Sequence, residues 1–148
     1  MDLKTRLESS LKDAMRAGDD VRKRTIRMAI SAIRLAEIEK GSPLDEAGLI
    51  DMLQKEVKSR HEAIAEAQHA KRPDLVSASE DEIVVLETFL PQQFTPQELE
   101  ALARQAIQEA NATSPADIGK VIKLLTPRLQ GRANGAQAGQ LVRKLLQG

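Results

Sequence analysis

"FLPQQFTP", residues 89 to 96, interrupts the chain and decides how the sequence on either side is read. Two prolines this close cannot sit inside a continuing helix, because proline has no amide hydrogen and a fixed φ. Charge balance changes here too. Residues 1–90 hold 15 basic and 18 acidic side chains, whereas those from 91 onward hold 7 and 4. The stretch is expected to separate an N-terminal domain, residues 1–92, from a C-terminal domain, residues 93–148.

Upstream, apolar residues recur at helical spacing. Leu3, Leu7, Leu11, Ala14 and Met15 form one stripe, which "AGDD" stops before supplying an Asp cap for the next helix. From Val21 to about Ile38, the residues Ile26, Ala29, Ile30, Ile33 and Ala36 form a wider stripe, predicting the most buried helix of this half. Asp45 begins a third helix with Leu49, Leu53, Val57, Ile64 and Ala67 inward. Pro73 suits the first position of a fourth, residues 73–89, with Val76, Ile83, Leu86 and Leu90 inward. A four-helix bundle, or a long helical hairpin with two shorter helices against it, satisfies this pattern.

Downstream, three helix starts carry a capping pattern: "TPQE" at Thr95, "SPAD" at Ser114 and "NGAQ" at Asn134. Each leads into an apolar stripe, first Leu99, Leu102, Ala106 and Ile107. The second is Ile118, Val121, Ile122 and Leu125; the third is Ala138, Leu141, Val142 and Leu145. Pro127 is expected to end the middle helix or tighten its last turn. No strand pattern competes, so the fold class is all-α: an N-terminal four-helix bundle or hairpin domain plus a small C-terminal three-helix domain.

Composition narrows the chemistry. There are two Phe and no Trp or Tyr, and Phe89 and Phe94 beside the proline read as core packing, which disfavours base stacking on aromatic platforms. The absence of cysteine excludes disulfides, thiolate catalysis and cysteine-ligated zinc. The first fifteen residues lack a signal-like apolar run and no segment has bilayer-spanning length, so a cytoplasmic protein without membrane attachment is expected.

No catalytic residue, metal ligand or cofactor site is expected. "EAQH", Glu66 to His69, is a single Glu and His pair, and His61 has Lys58 where a matching Glu would stand. None of the serines lies in a nucleophile elbow. "SEDE", Ser79 to Glu82, fits a helix's first turns, and "RKRTIR", residues 22–27, reads as a solvated helix face beside Asp19 and Asp20.

"GRANGAQAGQLVRKLL", residues 131–146, carries the one candidate site. It is no nucleotide-binding P-loop, since it lacks the Lys and hydroxyl residue and no strand precedes it. Gly131 can close the preceding helix in a left-handed conformation while Asn134 caps the last one and Gly135 tolerates the tight turn. A helix start also exposes amide donors and partial positive charge. Beyond Asn111, Lys120, Lys123, Arg128, Arg132, Arg143 and Lys144 are opposed only by Asp117. The candidate phosphate-binding residues are therefore these six cations with Asn134 and Gly135; ordinary solvated charge is the competing reading.

The segments "VLETFLPQQFTPQEL", "DIGKVIKLLTP" and "GRANGAQAGQLVRKLL" together resemble the YqeY-like family (GatB/YqeY), relatives of the tail of the B subunit of the tRNA-dependent amidotransferase. The resemblance covers essentially the whole chain. It implies an all-α fold and, by analogy with that tail, a module contacting the body of tRNA while chemistry lies elsewhere. Amidotransferase activity would be inherited by relationship only. The matching segments single out Gly119, Lys120, Lys123, Gly131, Arg132, Gly135, Arg143 and Lys144. Relatives commonly carry Asp where this chain has Asn134, which caps equally well and removes a negative charge beside Arg132. The expected partner is tRNA or another structured RNA, in translation. Components of an amidotransferase or an aminoacyl-tRNA synthetase complex, docked through the N-terminal helices, are the alternative.

Overall fold

The computed structural model describes residues 2–148; among them are seven α-helices, one 3-10 turn and no strand. The chain divides into two compact units, the first ending at Pro91 and the second spanning Gln92–Gly148.

The first unit holds α1 (Leu3–Ala17), α2 (Asp20–Lys40), α3 (Glu46–His69) and α4 (Pro73–Glu87). Local chemistry starts the first three. Asp2 accepts from the Thr5 amide at 2.7 Å, Asp19 from Arg22 at 3.1 Å and Asp45 from Gly48 at 2.8 Å. Gly18 and Gly41 close α1 and α2 at φ 67 and 80, where a side chain would be strained. α3 and α4 form the most extensive pair, α1 lies on α2, and α2 touches both α3 and α4. Its wide stripe is thus central: Ile26, Ala29 and Ile33 are buried with Leu3, Leu7, Leu49, Leu53, Leu86 and Phe89.

Two sequence-based expectations are corrected in this unit, and one buried residue that the sequence did not single out joins the core. Met15 is 51% exposed, and Ala14 is the buried residue at that end of α1. "SEDE" lies well inside α4 rather than in its first turns, and Glu82 faces Arg24 and Arg60. That added residue is Arg60, whose side chain is only 6% exposed. Its Nε donates to Glu82 Oε2 at 3.1 Å, one Nη binds the Glu56 carboxylate, and the other approaches the Met28 sulfur at 3.7 Å.

The second unit holds α5 (Pro96–Glu109), the 3-10 turn Pro115–Asp117, α6 (Ile118–Leu129) and α7 (Gly135–Gln147). Thr95 accepts from the Glu98 amide at 3.1 Å, and Asn134 from the amides of Ala136 and Gln137 at 2.7 and 3.1 Å. Before α6, the Asp117 carboxylate accepts from Thr113 and Ser114 amides at 3.0 and 3.4 Å. Pro127 does not end α6 but lies in its last turn, the helix continuing to Leu129. Proline there removes the amide that would meet the Lys123 carbonyl, a loss offset because Leu125 and Leu129 on either side are both buried. The core is Leu99, Ala103, Ala106, Val121, Leu125, Leu129, Ala133, Ala138 and Val142. Small residues dominate it.

Candidate functional site

All eight candidate residues lie on α6, α7 and the turn between them, but they do unlike things. Arg132 belongs to the turn's framework. Its Nε donates to the Gln92 carbonyl at 2.8 Å, its guanidinium lies 4.0 Å from the centre of the Phe94 ring, and Glu98 is 3.6 Å away. The Phe94 amide returns a hydrogen bond to the Arg132 carbonyl at 2.8 Å. This arginine ties the α6–α7 turn to the segment leading into α5. Asn134 is occupied as a helix cap, and Gly135 opens α7. Before it, Gln130 and Gly131 take left-handed conformations in succession, at φ 49 and 75.

The remaining cations sort by their partners. Arg128 binds the Glu109 carboxylate, Lys120 stands 3.9 Å from Asp117, and Arg104 is 3.3 Å from Glu100. With Arg132 on Glu98, each of the four carboxylates from residue 92 onward faces one cation. Lys123, Arg143 and Lys144 are exposed and meet no carboxylate among the described residues. Excess positive charge in this unit is carried by these three side chains.

Two of the three flank one seam. A Cβ built on Gly139 would stand 3.9 Å from Ile122 Cδ1, so α6 and α7 approach each other there. Lys123 follows Ile122 on α6 and lies one turn after Gly119. Arg143 lies one turn after Gly139 on α7. Helical spacing therefore sets both cations on the outer rims of the seam, each with a glycine a turn away along its own helix. Around Gly119 there is open space, so an extended anion could approach the backbone closely. Lys144 sits about 100° further round α7.

The Asp117 carboxyl is held below the ordinary aspartate range by the Thr113 amide first, then by the Ser114 amide and Lys120, against an opposing effect of desolvation. A depressed folded value means a contribution to stability that is complete above the unfolded value and lost as pH falls through the folded one. Carboxyl NMR titration is expected to place the Asp117 midpoint below that of an aspartate in an unstructured peptide. Lys120→Gln should raise it only partway, because the amides remain.

Phe89 is buried in the first unit, and Phe94 is partly buried beneath Arg132 in the second. His61, Glu66 and His69 are exposed along α3. Among the described residues no cluster of three or more His, Cys, Asp or Glu is placed to hold a metal, and no helix is long and apolar enough to cross a membrane.

Comparison with known proteins adds two findings. The sequence profile of the family described as "Yqey-like protein" matches residues 4–146. Among curated relatives, "Altered inheritance of mitochondria protein 41, mitochondrial" of Lachancea thermotolerans is 40% identical over 93 residues, 62% of this chain and 50% of that protein. Its namesake in Kluyveromyces lactis is 43% identical over 84 residues, 56% of this chain and 45% of the relative. That of Saccharomyces cerevisiae is 38% identical over 87 residues, 58% and 47%. The chain spans about half the length of the curated relatives it matches. Their designations overturn the expectation of a cytoplasmic protein, since all three are named as mitochondrial. An apolar leader run marks secretory export, whereas mitochondrial import uses amphipathic, arginine-rich segments. Lack of the former carries no cytoplasmic address.

Proposed function

The chain belongs to the YqeY-like family, and from that premise we propose that it is a non-catalytic RNA-binding module for structured RNA such as tRNA. One observation carries this reading: every carboxylate of the second unit faces a cation, while exposed Lys123, Arg143 and Lys144 face none. Lys123 and Arg143 border the α6–α7 seam, and each is free to neutralise a phosphate. Recognition of that kind works through charge and shape, with little reading of bases. The scarcity of aromatic side chains accords with it.

Of the eight residues expected from sequence, the proposal rests on these three. Lys120 and Arg128 contribute less, because a neighbouring carboxylate already compensates each, and Arg132, Asn134 and Gly135 build the turn. Amidotransferase chemistry has no support in the residues present.

The test is binding of fluorescently labelled bulk tRNA to the full chain. Lys123→Ala/Arg143→Ala/Lys144→Ala is expected to weaken it by at least about tenfold, given three phosphate contacts. Lys120→Ala/Arg128→Ala should change it by about threefold or less, as expected for charges already paired at the surface. Equal losses in the two variants would reject the assignment. Arg132→Ala is unsuitable as a probe, since it would disturb the turn itself.

A further inference from the structure

Along α2 runs a row of apolar side chains that its own unit leaves half exposed or more, Met28 meeting Arg60 through its sulfur. Met28 is 50% exposed, Leu35 57% and Ile38 76%. With exposed Ser31 among them, they follow a 3-4-3 spacing, the seam one helix presents to another. Met28 and Leu35 take the a positions of that repeat, and Ser31 and Ile38 the d positions. The flanking g positions are then Arg27 and Arg34.

Those two arginines differ from their neighbours. Lys23 reaches Asp20 and Arg24 reaches Glu82, but neither Arg27 nor Arg34 meets a carboxylate among the described residues. Arg27 approaches only the sulfur of Met15, at 3.9 Å, and Met15 is itself half exposed. Residues at e and g choose the partner of such a seam through charge. One edge of the apolar ridge thus holds two uncompensated arginines, while the other, position e, holds Ala32 and exposed Glu39. Such a ridge fits a helix with apolar a and d positions and carboxylates on the single edge that meets Arg27 and Arg34.

We propose that this face of α2 docks an acidic amphipathic α-helix of a partner protein. A second copy of this chain fits less well. Parallel pairing would set Arg34 against Glu39 but Arg27 against Ala32, and antiparallel pairing would oppose arginine to arginine. An anionic bilayer is matched by a broad apolar arc with basic flanks, whereas this row is narrow and has exposed Glu39 on one flank. The seam covers roughly 15 Å of helix, so the contact is short and its affinity modest.

The experiment uses the full chain and two synthetic helical peptides, both with Leu at a and d and Ala on the edge that meets Ala32 and Glu39. One carries Glu and the other Lys on the edge that meets Arg27 and Arg34. By fluorescence anisotropy the Glu peptide should bind about tenfold more tightly than the Lys peptide, the sum of two surface charge pairs turned from attraction to repulsion. Arg27→Glu/Arg34→Glu should invert that preference. Leu35→Asp/Ile38→Asp should lose the Glu peptide by at least about tenfold, with an unchanged thermal melt because both side chains are exposed. Absence of Glu-peptide binding, or equal affinity for the two peptides, overturns the proposal. So does binding to phosphatidylglycerol vesicles without peptide selectivity, which would assign the face to a lipid surface. Self-association abolished by Leu35→Asp/Ile38→Asp, with no peptide binding, would assign it to a second copy.

Discussion

Leu125→Ala is expected to leave the second unit largely unfolded within the full chain. Leu125 is fully buried at the centre of a core in which Ala103, Ala106, Ala133 and Ala138 supply much of the lining. Alanines are too small to close over the cavity, so the change loses both transfer free energy and packing, about 2–5 kcal/mol together. A unit of this size seldom holds more than about 3–5 kcal/mol. Amide hydrogen exchange across α5, α6 and α7 should therefore lose most of its protection. Retention of near-full protection would show that neighbouring side chains collapse into the space.

The second large effect belongs to Arg60. Its guanidinium lies between Glu56 and Glu82, both less than a fifth exposed, and Glu82 is shared with Arg24 at 3.4 Å. Arg60→Met keeps the apolar stem but leaves carboxylates without their main cation, a loss of about 3 kcal/mol in denaturant unfolding. Adding Glu56→Gln and Glu82→Leu removes the stranded charges and should recover most of it, because a buried ion pair replaced as a whole by apolar groups is often neutral. Arg24, half exposed, can then turn to water. If the single variant proves as stable as the parent, the cluster is solvated and the account of this core is wrong.

Arg60 also shows where sequence reading succeeds and fails. Leu53, Val57, Arg60, Ile64 and Ala67 fall on one helical stripe, so periodicity places the arginine inward. Arginine by chemical type favours the surface, and it is Glu82 across the α3–α4 pair, together with Glu56 on α3, that compensates its burial. Caps were legible for the opposite reason. At Asp19, Asp45, Thr95 and Asn134 the acceptor and the amide it meets are at most three residues apart, and local chemistry settles them. Pro127 left two outcomes open, the end of α6 or a place in its last turn, and the structure has the second, with Leu125 and Leu129 buried on either side. Among the candidate site residues, Arg128 and Arg132 could not be sorted from Lys123, Arg143 and Lys144 by spacing. Their partners Glu109, Glu98 and Gln92 are distant in sequence and adjacent only after folding. What the sequence did reveal was the excess of positive charge near its end; folding decided which side chains express it.

The salt dependence of tRNA binding tests the central claim most directly. Three phosphates neutralised by Lys123, Arg143 and Lys144 give a slope of log K against log salt between about −2 and −3. Affinity should then fall by about 20–40-fold between 50 and 200 mM salt. The slope should flatten in Lys123→Ala/Arg143→Ala/Lys144→Ala and persist in Lys120→Ala/Arg128→Ala. A parent protein that fails to bind tRNA at low salt, or whose slope survives loss of all three cations, would contradict the account.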